Sequence, residues 1–310
     1  EEGLAPAVTV ESVRRSTDAT RKLLVRMADG ATVETVLIPA ASRDDADAAA
    51  LDEDDDPRVT QCISTQVGCA MGCVFCASGV AGLKRNLGPH EIAAQVMLGR
   101  AALDPGEELR NIVLMGMGEP LHNYESTARA LRLLTHPMGP NLSPRRITVS
   151  TSGLVPEIAR LGADFQGQIG LAVSLHAADD EARSRLMPIN RKYPLPQLMD
   201  ALRAYPLPKR RRIFIEYTLI AGKNDELSEA NKLARLLRDL PVKINLIPMN
   251  PIEASPLGAP PMESVYAFQQ RLIDQGYTCF VRKRRGDDVS AACGQLALLG
   301  AKPRVRVNRA

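Results

Sequence analysis

Three cysteines fall close together in Gly68-Cys69-Ala70-Met71-Gly72-Cys73-Val74-Phe75-Cys76. A C-x3-C-x2-C loop presents three thiolates, which suit three irons of a [4Fe–4S] cluster and leave the fourth iron open to a substrate. Zinc also takes thiolates, but structural zinc is normally closed by four ligands, and the sequence offers no fourth Cys or His nearby. A disulfide would strand an odd thiol. The other cysteines are Cys62, seven residues before Cys69, then Cys279 and Cys293. By residue type alone, each of these reads as a small buried hydrophobe.

The elements that must position the cysteine loop follow from periodicity. Residues 1–39 read as a β-hairpin appendage, with alternation over 8–13, an apolar run over 23–27 and an Ala28-Asp29-Gly30 turn before Thr32–Ile38. Residues 40–57 carry almost no large apolar side chain and read as an acidic flexible linker. Residues 58–300 then alternate, with strands predicted at Val59–Val67, Asn111–Gly116, Arg146–Ser150, Ile169–Leu175, Arg212–Ile220 and Val242–Ile247. Helices are predicted at His90–Ala102, Tyr124–Thr135, Val155–Leu161, Pro196–Tyr205, Ser228–Leu240 and Met262–Gln275. Serial β-α units imply an α/β fold with a parallel sheet and right-handed crossovers. No Gly-x-Gly-x-x-Gly follows the first strand, which counts against a dinucleotide-binding sheet. The Gly-rich and polar motifs sit at the C-terminal ends of strands, where barrel enzymes build their sites, so a partial or complete parallel (β/α) barrel is expected.

Charge points to the partner. The net charge of +3 hides a stretch from Arg43 to Asp56 of about −7, so the rest of the chain carries about +10 and suits a polyanion. Basic runs stand at Arg145-Arg146, Lys209-Arg210-Arg211-Arg212 and Arg282-Lys283-Arg284-Arg285, and residues 301–310 form a basic tail. Such runs meet phosphates without reading sequence. No apolar run approaches a membrane span and the first residues are not a signal peptide, so a cytoplasmic protein with reduced thiols is expected.

The cysteine spacing, with an aromatic residue before the last cysteine, resembles the radical S-adenosylmethionine (SAM) superfamily. Six further segments narrow the likeness: Gln61–Cys69, Met115-Gly116-Met117-Gly118-Glu119-Pro120, Thr148–Gly153, Ser174-Leu175-His176-Ala177, Asn245–Pro251 and Ala291-Ala292-Cys293-Gly294-Gln295-Leu296. Together, from about Val33 to Leu296, they resemble the RlmN/Cfr family of radical SAM adenine methyltransferases. The resemblance implies that Cys69, Cys73 and Cys76 hold a [4Fe–4S] cluster and that Cys293 takes a methyl group from one SAM. It implies that a second SAM yields a 5′-deoxyadenosyl radical, which activates that methyl for addition to adenine. Cys62 would deprotonate the adduct and resolve it through a disulfide with Cys293, and Glu34 matches a family glutamate proposed as a proton acceptor. Gly118, Glu119, Ser150, Ser174, Leu175, His176 and Asn250 are the SAM-binding residues so implied. An electron-poor adenine carbon is not nucleophilic, so ordinary methyl transfer fails there and a carbon radical solves the problem.

Each residue also has a plainer reading. Ser150 and Ser174 read as helix caps, Gly116 to Glu119 as a β-α turn, His176 as a satisfied strand-end histidine, Asn250 as turn chemistry before proline and Glu34 as an exposed hairpin residue. Cys279 matches no family cysteine and reads as structural. The implied function is C2 methylation of an adenosine in 23S rRNA and in some tRNAs, by a monomer supplied with electrons by a donor such as a flavodoxin. The alternatives are the C8-methylating, antibiotic-resistance branch and a non-catalytic RNA-binding protein with a vestigial cluster. Family members usually carry an extra N-terminal helical domain that grips RNA. The chain begins near the hairpin without a methionine, as a trimmed chain would.

Overall fold

A computed structural model describes residues 8–40, 58–253 and 255–296. The acidic stretch from Arg43 to Asp56 and the basic tail 301–310 lie outside the described residues. Strands β1 (Val8–Arg15), β2 (Arg21–Met27) and β3 (Thr32–Pro39) form an antiparallel meander. Its second turn is closed by Asp29, whose Oδ1 accepts the Ala31 N–H at 3.0 Å, and by Gly30 at φ +80°. The meander is not a separate body, because β3 pairs antiparallel with β4 (Arg58–Cys62). Gln61 locks that junction: its Nε2 donates to Thr35 Oγ1 at 3.0 Å and to the Gln95 carbonyl at 2.6 Å.

The run predicted as one strand over Val59–Val67 is two. After Cys62 the chain bends, and β5 (Gln66–Val67) pairs with β6 (Arg85–Asn86) in a separate ribbon that frames the cysteine loop and α1 (Ala77–Ala81). From β4 onward the main sheet is parallel, through β7 (Glu108–Leu114), β8 (Ile147–Thr151), β9 (Gly170–Ser174), β10 (Ile213–Leu219), β11 (Val242–Pro248) and β12 (Cys279–Val281). Helices α2 (Pro89–Ala101), α3 (Tyr124–Thr135), α4 (Val155–Phe165), α5 (Asp180–Leu186), α6 (Leu195–Ala204), α7 (Leu227–Leu236) and α8 (Met262–Asp274) provide the crossovers. Strand β10 shows why this arrangement is stable. Ile213, Ile215, Tyr217 and Leu219 are all buried, as a parallel strand covered by helices requires.

The ten-stranded order β1-β2-β3-β4-β7-β8-β9-β10-β11-β12 contains no jump in the parallel part, the order of a barrel wall rather than of a doubly wound sheet. Among the described residues β12 does not pair with β1, so the barrel is partial. The gap is bridged by the chain after β12: the Gly286 N–H donates to Asp18 Oδ2 at 2.9 Å, and Asp288 accepts from Ser16 Oγ and the Thr17 N–H. The β1–β2 turn thus holds the segment that leads to Cys293. No helix among the described residues is long and apolar enough to cross a membrane.

Candidate active site

A cavity opens at the C-terminal ends of the parallel strands, the place where barrel enzymes bind their ligands. Cys69, Cys73 and Cys76 line one side of it and Cys293 lines another. The cysteine loop keeps its shape through close backbone packing. Gly68 sits at φ +80°, and a Cβ there would lie 1.9 Å from the Gly82 carbonyl oxygen. Cys69 and Cys73 turn inward while Ala70, Gly72 and Val74 are exposed. Burial pushes the Cys69 thiol up to about 12 and raises Cys73 and Cys76, and neighbouring thiols add to the shift at Cys69 and Cys73. Three crowded sulfurs that resist ionising alone, two of them on buried residues, suit a cationic group that draws them together as thiolates. Among the described residues no three Cys, His, Asp or Glu side chains converge as ligands of one metal ion. A cluster whose irons each take one thiolate accepts the wider spacing.

The loop carrying Cys293 is built on the cysteine loop. The Ala77 N–H donates to the Gly294 carbonyl at 2.8 Å, and Ser78 Oγ donates to the Leu296 carbonyl at 2.6 Å. Asn250, at the end of β11, donates from Nδ2 to the Cys293 carbonyl at 2.9 Å. Cys293 is exposed within the cavity, while Cys62 ends β4 and is buried. Burial lifts the Cys62 thiol to about 12, with the Cys293 sulfur adding to the shift, and burial also raises Cys293. The Arg282 charge opposes each shift, while Glu216 raises the Arg282 guanidinium. Sequence reasoning put Arg282 with the RNA-contacting run. The residue is exposed in the structure, and its charge also reaches the two thiols.

The residues matched to SAM binding gather here, with one exception. Gly118, Glu119, Ser150, Ser174, His176 and Asn250 all line the cavity. Leu175 does not. Its side chain is fully buried, and only its backbone serves the site, by accepting from Arg183 Nε at 3.0 Å. Gly118 adopts φ +104°, and a Cβ would lie 2.6 Å from Gln66 Cβ. Glu119 is buried, which raises its carboxyl, while N–H groups of Leu121 at 3.1 Å and Ser152 at 2.7 Å oppose that shift. Ser150 lies within β8 and Ser174 ends β9, and neither caps a helix. His176 receives the Thr218 N–H on Nδ1 at 2.9 Å and meets Phe75 edge-on at 4.7 Å. Burial depresses it to about 3, and Arg183 adds to the effect, so the ring is neutral.

Ser152 Oγ, Glu216 Oε2 and Asn250 Oδ1 are buried, face this cavity and have no protein partner. Buried polar atoms are normally satisfied, so this trio fits a polar ligand such as SAM, rich in hydroxyl, amino and carboxylate groups. Two residues, one lining the cavity and one behind its wall, escaped the sequence reading. Glu216 on β10 accepts from Asn245 Nδ2 at 2.8 Å, and Arg183 ties strand ends together by donating to the carbonyls of Ser152 at 2.6 Å and Ser174 at 3.2 Å. Arg183 stands in the charged run Asp180-Glu181-Ala182-Arg183-Ser184-Arg185, which looks like a solvated helix face. Glu34 is buried, not exposed on the hairpin: Lys22 Nζ lies 2.9 Å from its Oε1. Cys279 is buried in β12, as a structural cysteine would be.

The basic runs divide between the two ends of the barrel. Arg145-Arg146 and Lys209–Arg212 precede β8 and β10, at the end away from the cavity, where Arg145 and Arg211 repel one another. Among the described residues only the Arg282–Arg285 run follows a strand into the cavity end.

Residues 63–234 match the Radical SAM superfamily. A dual-specificity RNA methyltransferase RlmN from Sorangium cellulosum is 72% identical over 98% of this chain and 83% of its own length. The RlmN of Geotalea uraniireducens is 50% identical over 92% of this chain and 77% of its own. The crystal structure of a radical SAM methyltransferase from Sphaerobacter thermophilus superposes with a TM-score of 0.85 at 48% identity, over 94% of this chain and 81% of that one. The likeness covers the cysteine loop, the cavity wall and the Cys293 loop alike, and the chain belongs to the RlmN family of radical SAM RNA methyltransferases.

Proposed function

We propose that this RNA methyltransferase acts on C2 of an adenosine in 23S rRNA and of an adenosine in some tRNAs, with Cys293 as the carrier of the methyl group. One observation carries the reading: Cys62 and Cys293, borne at opposite edges of the parallel sheet, come near enough for the Cys293 sulfur to raise the Cys62 thiol and for the Arg282 charge to act on both. Binding alone has no use for such a pair.

The family's [4Fe–4S] cluster and SAM, when bound, supply the methyl group and a one-electron route to a carbon radical. Cys69, Cys73 and Cys76, which line the cavity, would hold the cluster. The exposed backbone at Ala70, Gly72 and Val74 leaves the outer side open to an external electron donor, a flavodoxin in this reading. Gly118, Glu119, Ser150, Ser174, His176 and Asn250 form the SAM-facing wall. Neutral His176 would add no positive charge to a wall that receives a cationic SAM, and Arg282 would favour the Cys293 thiolate that accepts a methyl group.

Once Cys293 is joined to the adenine through its methylene carbon, two residues release the product. Glu34 accepts the proton from adenine, which is the role Cys62 fits poorly, because burial keeps its thiol protonated. The adduct gives up its unpaired electron to the external carrier, and Cys62 then attacks the Cys293 sulfur: the S–S bond forms as the S–C bond breaks, the thiol proton passes to the departing carbon, and methylated adenine leaves. Anaerobically reconstituted protein given SAM and an rRNA fragment is expected to yield 2-methyladenosine, 5′-deoxyadenosine and S-methylated Cys293 by mass spectrometry. Cys62→Ala should trap a covalent protein–RNA adduct, and Cys293→Ala should give neither product nor adduct. An 8-methyladenosine product alone, or normal turnover by Cys62→Ala, overturns the reading.

A further inference from the structure

We propose that Lys22 is a positioning residue for Glu34, holding its carboxylate against the loop that carries Cys293. The proposal rests on the reading of Glu34 as proton acceptor. Sheet register puts the parts together. Lys22 lies opposite Val36 on β3, and Val36 lies opposite Cys62 on β4, so the three share one face of the sheet. Glu34 is two residues from Val36 and therefore on that same face. Lys22 Nζ sits 2.9 Å from Glu34 Oε1 and donates to the Ser290 carbonyl at 3.1 Å, three residues before Cys293. One ammonium thus joins β2, β3 and the Cys293 loop, using two of its three donors.

Stability does not account for this pair. The Lys22 and Glu34 side chains are 9% and 8% exposed, so both surrender most of their hydration, and apolar residues at such positions commonly stabilise a fold as well or better. A cross-strand pair kept only for solubility would sit in water, where it is worth little. The Glu34 backbone is fixed independently, its N–H directed at Met117 Sδ at 3.4 Å and its carbonyl accepting from Ser64 Oγ at 2.6 Å. Lys22 fixes where the carboxylate points.

The test follows the covalent adduct in holoenzyme reconstituted with cluster and SAM. Lys22→Met is expected to S-methylate Cys293 within about twofold of wild type and to release RNA from the adduct about tenfold or more slowly, a modest share of what a positioned acid or base contributes. Lys22→Arg, which keeps the charge, should recover most of the release rate. Glu34→Gln should slow release at least as much as Lys22→Met, and adding Lys22→Met to Glu34→Gln should slow it no further. That double variant lacks both charges, so it answers the question even where Lys22→Met alone fails to fold. Wild-type release by Lys22→Met beside slow release by Glu34→Gln overturns the role of Lys22 alone. Equal slowing by Lys22→Met in both backgrounds does the same. Normal release by Glu34→Gln overturns the reading of Glu34 and the Lys22 proposal with it.

Discussion

His176 holds a left-handed backbone at φ +58°, uncommon for a residue with a side chain, just past the end of β9. The turn sends its ring inward, where Nδ1 takes the Thr218 N–H and the carbonyl accepts from Asn224 Nδ2 at 2.8 Å. The ring therefore carries its proton on Nε2 and stays neutral down to about pH 3, against 6.5 in an unfolded chain. Below pH 6.5 the unfolded chain takes up a proton that the native protein does not, so stability falls as pH drops through that window. The loss from this one group is about 2 kcal/mol between pH 6.5 and 5. His176→Asn keeps a residue that tolerates the left-handed turn but does not titrate. Urea unfolding of both proteins from pH 7.5 to 5 should show a shallower decline for the variant. Parallel declines would mean that native His176 protonates normally.

At the scale of elements, the cysteine loop depends on how closely its glycines let the backbone pass. Gly68→Ala would press a methyl into the Gly82 carbonyl in an already left-handed residue, at a cost of about 3 kcal/mol. It should leave the purified protein with well under half the iron and sulfide of wild type. Gly30→Ala is the control. Gly30 shares φ +80° but has nothing within 4 Å of an added Cβ, and it should cost only about 1 kcal/mol with full iron. Equal iron in the two variants would show that packing against Gly82 does not shape the loop. The long elements were legible because each buries a full apolar run or face, as β10 and α3 do. Helix α5 was not, since Asp180 to Leu186 shows no apolar stripe, nor was β12, which has only three residues. The splitting of Val59–Val67 into β4 and β5 depends on a bend that apolar content conceals. Among site residues, the cysteines announced themselves by spacing. The Lys22–Glu34 pair did not, because its partners meet only once strand register is set.

For the molecule as a whole, the parallel strands set two ends apart. Chemistry collects at one, with the cavity, the Cys293 loop and Arg282, while the Arg145 and Lys209 runs occupy the other. The acidic stretch departs from that second end too: Pro39 pairs with Val59, and the Ala40 N–H donates to the Arg58 carbonyl at 2.7 Å. The residues on either side of positions 41–57 are thus joined by the β3–β4 ladder itself. Glu34 and Cys62, one on each side of the stretch, depend on that ladder for their alignment. Protein cut by a protease between residues 41 and 57 should accordingly elute as one native-sized species, two fragments complementing each other, and retain at least half its methylation rate. Fragments that part on a sizing column would show that the peptide connection, rather than the ladder, holds Glu34 beside Cys62.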